Sequence, residues 1–421
     1  MGVSVPRSRW CDIVVNPAAV YRVAQARSHL RRLEGVPDLD VESLDRSGRG
    51  VLLQFRAPID RLPQPAPLCF ENQWQPGADA GLCETPLRTG TLNLPIVNDA
   101  RLVGPGLVLT SDDMILDKSI GRHAERFGIE THADGTCRFA RGLLELTQQA
   151  LRTGSVSTHE RAAILLFDPA IHHFGMWVLK CLPRLRVLTL LADAAIDVVV
   201  PTNVPDKFLS LMESLGIGPE RVVFHDPRGI STFRRLIVPP KIYKPGSSRY
   251  GNPFEVFCTG ATRGHRPGSR LAVPGTGPTR IYVSRRGNRR RRLASEKVVE
   301  QLFGHHGFHV VEPSRLTAVE TLSLFRDCEF IAGPLGSGLY NVLFSQRAPK
   351  ALVLTPPVTK FENLFVTMHH VCSAKGGAAG FVFGRTVAGS SDGDDVFDYT
   401  WEIDMVRLRE TLTALAPPTT S

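Results

Sequence analysis

Apolar runs of strand length alternate with segments of helical period in two separate stretches of this chain, and that alternation leaves few folds open. In the first stretch, Ala163-Ile164-Leu165-Leu166-Phe167 has the length of a buried strand and stops at Asp168-Pro169. A proline disfavours helical backbone in the residue before it, so the turn falls there. Phe174, Trp177, Val178, Cys181, Leu185 and Leu188 then recur at helical spacing. Pro183 must kink or divide that helix, because it has no amide hydrogen to donate. A strand over 196–200 follows, then a helix marked by Val204, Phe208, Leu211, Met212 and Leu215 with Gly216 at its C-terminal end, then a strand over 221–224. Repeated units of strand, helix and strand require right-handed crossovers and give a parallel sheet covered on both faces.

The second stretch repeats the pattern without repeating the sequence. Strands are predicted over 281–284, 308–311, 330–332 and 351–354, and helices over 296–303, 318–327 and 339–345, with Ser295 and Thr317 as N-cap candidates. Residues 244–278, rich in Gly, Pro, Ser and Arg, read as a linker or mobile loop. The predicted fold is therefore α/β, with an N-terminal Rossmann-like half over 151–243 and a C-terminal one over 279–389 facing a cleft. Residues 1–150 carry scattered prolines and short β-like runs and read as an irregular, strand-rich part of the first domain. Residues 390–421 read as a polar loop and a closing helix on which Met405, Leu408, Leu412 and Leu415 share a face. A length of 421 residues accommodates two domains. The longest apolar run, 187–200, is broken by Asp193 and Asp197 and is too short to span a bilayer. Eight cysteines with no C-x-x-C pair, and no recognisable secretory leader, point to a cytoplasmic setting.

The formal charge of +9 is concentrated rather than spread, since seven arginines fall between Arg280 and Arg292. A cluster beside a strand points first to one bound anion; no recognition module for nucleic acid accompanies it. Downstream, Gly333-Pro334-Leu335-Gly336-Ser337-Gly338-Leu339-Tyr340-Asn341 forms a glycine-rich turn between a buried strand and a helix. Such a turn lets backbone amides and the positive helix end face an anion. It has neither the Gly-Lys-Ser/Thr ending of a Walker sequence nor G-x-G-x-x-G spacing. In a parallel sheet all strand C-termini share one edge, so Ser284-Arg285 and Gly336 to Gly338 should face one crevice, where a diphosphate would fit. Arg291 or Arg292 is a candidate second cation. Glu320 has two readings: the capping partner of Thr317, or a carboxylate that accepts from sugar or ribose hydroxyls. Asp168, His172 and His173 follow a strand end in the first half, a suitable place for a general base, although a surface histidine pair fits the same residues. The pairs Asp38/Asp40 and Asp392/Asp394 read as polar loops rather than metal ligands. Nothing surrounds Ser337 with the elbow of a serine hydrolase.

Taken together, Ile281-Tyr282-Val283-Ser284-Arg285 with its arginine run, Thr317-x-x-Glu320 and the turn continuing to Asn341-x-x-Phe344 resemble the catalytic domain of glycosyltransferase family 61, in its bacterial form. Upstream, His173-Phe174-Gly175-Met176-Trp177-x-x-Lys180-x-Leu182-Pro183-Arg184 is similar to that family's Asn-Phe/Tyr-x-His-Trp-x-x-Asp/Glu-x-Leu-Pro-Arg pattern. The resemblance implies a GT-B architecture and inverting transfer of a sugar from a nucleotide-sugar to a hydroxyl, with no cofactor and no obligatory metal. The implied acceptor is a glycan or lipid-linked glycan of a surface polysaccharide, made in the cytoplasm or at the inner face of the membrane. On this reading Ser284, Arg285, Arg291, Glu320, Gly336, Ser337, Gly338 and Asn341 bind the donor, and His173 is the first choice for the base. Three positions depart from the family pattern. Met176 stands in place of its His, Lys180 in place of its Asp/Glu, and Leu335 in place of the His of its Gly-x-His-Gly turn. The alternative is a chain of the same fold that binds a nucleotide-sugar or glycan without turnover.

Overall fold

The computed structural model describes residues 48–55, 61–62, 64–71, 83, 86–88, 92–104, 106–111, 130–131, 137–138, 152, 156–167, 171, 173–191, 195–240, 242–244, 247–248, 254, 277–288, 290–356, 364–387 and 399–418. Within them lies a mixed α/β fold organised on two large sheets.

The first sheet is mixed where the sequence predicts a parallel one. Its order is Gly50–Phe55, Leu92–Val103, Ile230–Ile237, Ala163–Leu165, Asp197–Pro201 and Val222–His225. The last four run parallel, whereas Leu92–Val103 is antiparallel to both Ile230–Ile237 and Gly50–Phe55. Val156–His159 and Ala163–Leu165 lie in succession along one flank of Ile230–Ile237. The long Leu92–Val103 strand contains Pro95, which masks it in the sequence. Pro95 stands opposite Leu52, just beyond the last pair with Ile230–Ile237, Ile237 with Ile96, so the missing amide falls where that pairing ends. Between Ala163–Leu165 and Asp197–Pro201 the chain makes a composite helix. It is α over Phe174–Met176, a wide π turn over Trp177–Cys181, 3-10 over Leu182–Leu185 and α again over Arg186–Leu191. Pro183 sits at the start of the 3-10 segment, so the missing amide falls where the register changes. Gly216 closes the helix Asp206–Ser214 with φ +88°, the left-handed residue that a helix C-terminus favours.

The second sheet is parallel throughout, in the order His309–Val311, Arg280–Val283, Phe330–Pro334, Lys350–Thr355, Ala378–Phe383 and Phe70–Glu71. Numbered in chain order from Arg280–Val283, five of its strands therefore stand 2-1-3-4-5. The strand order reverses between the first and third, and this opens a crevice at their carboxyl ends. Phe70–Glu71, from the segment that the sequence places with the first half, pairs with the far edge of this sheet. The helix Ala318–Phe325 opens on a complete capping box, as Thr317 and Glu320 predict. Ser295 does not cap: it is left-handed (φ +58°), and its side chain makes no bond to the helix it precedes. The last helix, Met405–Leu415, buries Leu408 and Leu412 with Trp401, Tyr282 and Phe303 on one face of this sheet. No helix among the described residues is long and apolar enough to cross a membrane.

One apolar cluster joins the two sheets. It runs from Ile164, Trp177 and Phe208 to Ile281, Leu339 and Phe365. Lys207, on the helix Asp206–Ser214, reaches across and donates to the carbonyls of Pro313 at 3.0 Å and Leu316 at 2.7 Å. Inside the second sheet Gly333 has φ +146°, and a Cβ there would stand 2.5 Å from the carbonyl oxygen of Val283. Gly333→Ala is accordingly expected to destabilise the fold by at least about 1–3 kcal/mol, measured as a lowered denaturant midpoint with unchanged slope.

Candidate functional site

The crevice between the first and third strands of the second sheet holds a cavity of about 620 Å³. Its wall includes Val283, Ser284 and Arg285 from the end of the first strand, Glu312 to Arg315 after the second, and Ser337, Gly338 and Asn341 after the third. Phe174, Lys207 and Phe208 close it from the first half. Trp177 backs that side, its ring stacked on Phe208 with centroids 5.2 Å apart.

Arg285 and the glycine turn meet, as parallel strand ends require. A Cβ on Gly336 would fall on the Arg285 guanidinium. Gly336 is itself extended, so it is the arginine and not the backbone angle that keeps this position small. Ser337 then opens the eight-residue 3-10 helix Ser337–Phe344. Asn341 is 1% exposed and donates through Nδ2 to the Gly338 carbonyl at 2.8 Å, which fixes the turn. Its Oδ1 is buried without a hydrogen-bond partner among the described residues.

Two carboxylates beneath Arg285 escape notice in the sequence. Glu296 accepts from the Arg285 amide at 2.6 Å, and Glu300 accepts from the Ser284 hydroxyl at 2.6 Å while pairing with Arg286 at 3.2 Å. Both are buried. The signal that could have found them is their spacing: Glu296, Val299, Glu300 and Phe303 occupy one helical face, and Val299 and Phe303 are core residues. Burial pushes the Glu296 carboxyl up to about 7, against the bond from Arg285. Burial, then the neighbouring Arg291 charge, draws the Arg285 guanidinium down to about 10, so it stays charged near neutrality. Arg291 is half-buried and left-handed (φ +52°), and its carbonyl accepts from the Trp401 indole at 3.0 Å.

The rest of the arginine run divides by task. Arg280 donates to the carbonyls of His306 and Pro417, and Arg292 donates to the Thr400 hydroxyl. Glu320 stands outside the cavity wall and accepts from both the amide and hydroxyl of Thr317, bonds that hold its carboxyl below the ordinary range. His173 is exposed and precedes the composite helix. A Cβ on Gly175 would lie 3.0 Å from Ser337 Cβ, 3.2 Å from His173 Cε1 and 3.3 Å from the Tyr340 ring, so His173 and the glycine turn approach the same small residue. Asp168, His172, Asp38, Asp40, Asp392 and Asp394 lie outside the described residues. Of the three departures from the family pattern, Leu335 is 4% exposed and belongs to the shared apolar cluster, while Met176 and Lys180 are half-buried. Arg184 is buried and donates to the Phe167 carbonyl, tying the composite helix to the end of Ala163–Leu165.

Residues 174–353 match the family described as Glycosyltransferase 61. That span contains the composite helix, Arg285, both buried glutamates and the glycine turn, and it supports glycosyl transfer, with a sugar donor and an acceptor, as the general activity. No curated protein matches the chain.

The raised Glu296 carboxyl favours the folded state when protonated. Its contribution is full below the ordinary value of 4.5 and is lost as pH rises through about 7. Glu296→Gln keeps an acceptor for the Arg285 amide and removes the titration. Its stability relative to wild type is therefore expected to improve from pH 4.5 to pH 7.5 in denaturant titrations, and a constant difference across that window would contradict the assignment.

Proposed function

We propose that the chain is a family 61 glycosyltransferase of GT-B architecture that transfers a sugar from a nucleotide-sugar to a hydroxyl of a glycan or lipid-linked glycan. The observation that carries this reading is the meeting of Arg285, Ser337 and the pinned Gly336–Gly338 turn at the reversal point of a parallel sheet. Arg285 presents paired donors to phosphate oxygens, and the amides at the start of Ser337–Phe344 add partial positive charge. Both are held in place before the ligand arrives, so they stabilise the charge that grows on a departing diphosphate without reorganising. Arg291 supplies a second cation nearby. His173 takes the proton from the acceptor hydroxyl, whose attack on the face opposite the leaving group inverts the anomeric centre. Surface-polysaccharide synthesis, on the cytoplasmic side of the membrane, is the process this chemistry suits.

A second reading has its own observation. Leu335 is buried in apolar surroundings where the family pattern has a histidine, so this turn offers no imidazole. A chain of this fold that binds nucleotide-sugar without turnover would show nucleotide affinity together with neither transfer nor slow donor hydrolysis.

Arg285→Ala is expected to weaken uridine diphosphate binding by roughly 100-fold, on the scale of lost charged hydrogen bonds to a phosphate, and to abolish transfer. Calorimetric titration of a correctly folded variant checks this; wild-type affinity would overturn the donor site.

A further inference from the structure

A second cavity, of about 490 Å³, opens in the first half and shares no lining residue with the first. It lies along Ile230–Ile237, where Thr232 and Phe233 pair with Thr158 and His159. Ile164, whose strand leads on toward the composite helix and the first cavity, pairs with Ile237, five residues beyond Thr232. That length of strand is roughly 16 Å, so the second cavity is a separate site.

A chain of side chains sets the orientation of one ring in its wall. The Gly104 carbonyl can only accept, so His225 Nε2, 2.6 Å away, carries the ring hydrogen. His225 is buried, and burial lowers its proton affinity, so near neutrality its Nδ1 is bare. Ser231 must therefore donate to that Nδ1, at 2.8 Å, which spends its single hydrogen. Ser231 then accepts from Ser157 at 2.9 Å, and Ser157 accepts from His159 Nε2 at 3.2 Å. Burial also lowers the proton affinity of His159, against the charge of Asp197, so the other nitrogen of that ring, Nδ1, is an acceptor. The ring is stacked on Phe233 with centroids 4.9 Å apart.

The remaining groups of the wall define what it would accept. The ladder between Leu92–Val103 and Ile230–Ile237 lapses at Asp99 and Arg234, with Asp99 left-handed (φ +45°), and both residues are exposed at the cavity. Asp99 and Glu160 balance Arg101 and Arg234 in formal charge, so neither an anion nor a cation is favoured. Among the described residues no group of His, Cys, Asp and Glu is placed to hold a metal ion. Phe233 is 1% exposed, so the cavity has no apolar floor. What the wall presents is carboxylates and an imidazole nitrogen that accept, guanidinium groups that donate, and hydroxyls of Thr158 and Thr232 that do either. An uncharged ligand crowded with hydroxyls matches such a wall.

We propose that this cavity is a second saccharide site, where one unit of a glycan chain is held away from the transfer site and His159 Nδ1 accepts from one of its hydroxyls. The inference rests on the reading of the acceptor as a glycan and adds a second place at which the protein engages it. A chain held at two points is retained through effective concentration, with no new contact at the reacting end.

The test uses the full chain, with its histidines labelled with nitrogen-15, and NMR titration with maltohexaose, cellohexaose, xylohexaose and N-acetylchitohexaose. Before any sugar is added, His159 and His225 are both expected to carry their hydrogen on Nε2 near neutral pH; a hydrogen on Nδ1 of His159 would overturn the site as oriented here. At least one hexasaccharide is expected to shift the His159 ring signals. His159→Phe, which keeps the stack on Phe233 and removes the acceptor, and Arg234→Ala, at an exposed position, are each expected to weaken that binding by about 10-fold or more, the scale of a lost hydrogen bond. Thermal transitions and Arg285-dependent UDP binding confirm that each variant is folded. Binding that neither substitution weakens would overturn the inference. So would binding of none of the four sugars by a wild-type chain that binds UDP, an outcome that leaves the donor site standing.

Discussion

Two buried carboxylates one helical turn apart decide where the first strand of the second sheet delivers its last residues. Glu296 holds the Arg285 amide and Glu300 holds the Ser284 hydroxyl and the Arg286 guanidinium, so three consecutive residues are fixed from one helix. Burying carboxylates is costly unless hydrogen bonds compensate, and here the compensating donors are the strand end itself. The helix and the strand end are therefore mutually required. What that arrangement achieves is a guanidinium placed against Gly336, with one nitrogen donating to the Arg290 carbonyl at 3.4 Å.

The surplus of positive charge takes on a different meaning once it is located. Arg280 and Arg292 stitch chain segments together through carbonyl and hydroxyl acceptors, and Arg286 neutralises a buried glutamate. Arg285 and Arg291 remain half-buried; burial lowers the proton affinity of both, and the Arg291 charge lowers that of Arg285 further. Like charges held together are unfavourable until an anion lies between them, which is the physical content of a phosphate site.

The second half was legible as far as its fourth strand, because Arg280–Val283, Phe330–Pro334 and Lys350–Thr355 are short, mostly buried apolar runs and its turn carries glycines with mechanical reasons to be there, whereas the strand Ala378–Phe383 was not predicted. Gly333 avoids a backbone carbonyl and Gly336 avoids a guanidinium, and both stand in the stretch the sequence singled out. The first half was legible only in its parallel core. Leu92–Val103 hides behind Pro95 and polar interruptions, and Ile230–Ile237 reads as a charged segment because Arg234 and Arg235 face outward. Pairing partners far along the chain, such as Ile230 with Val103, are not encoded in local period. Among site residues, local pattern could propose Arg285 and the turn. The role of Glu296 depends on which neighbours the topology brings to it. Glu320 shows the opposite case, a residue whose local pattern, the capping box, accounts for it.

Lys207 extends from a helix of the first half to two backbone carbonyls of the second, at the mouth of the cavity. Burial lowers its proton affinity, opposed by the charge of Glu320. Because the same seam carries a continuous apolar cluster, prising the halves apart would break both bonds and wet the apolar surface together. The wall of the cavity and the join between the halves are thus one structure, so a change that loosens the join also alters the cavity wall.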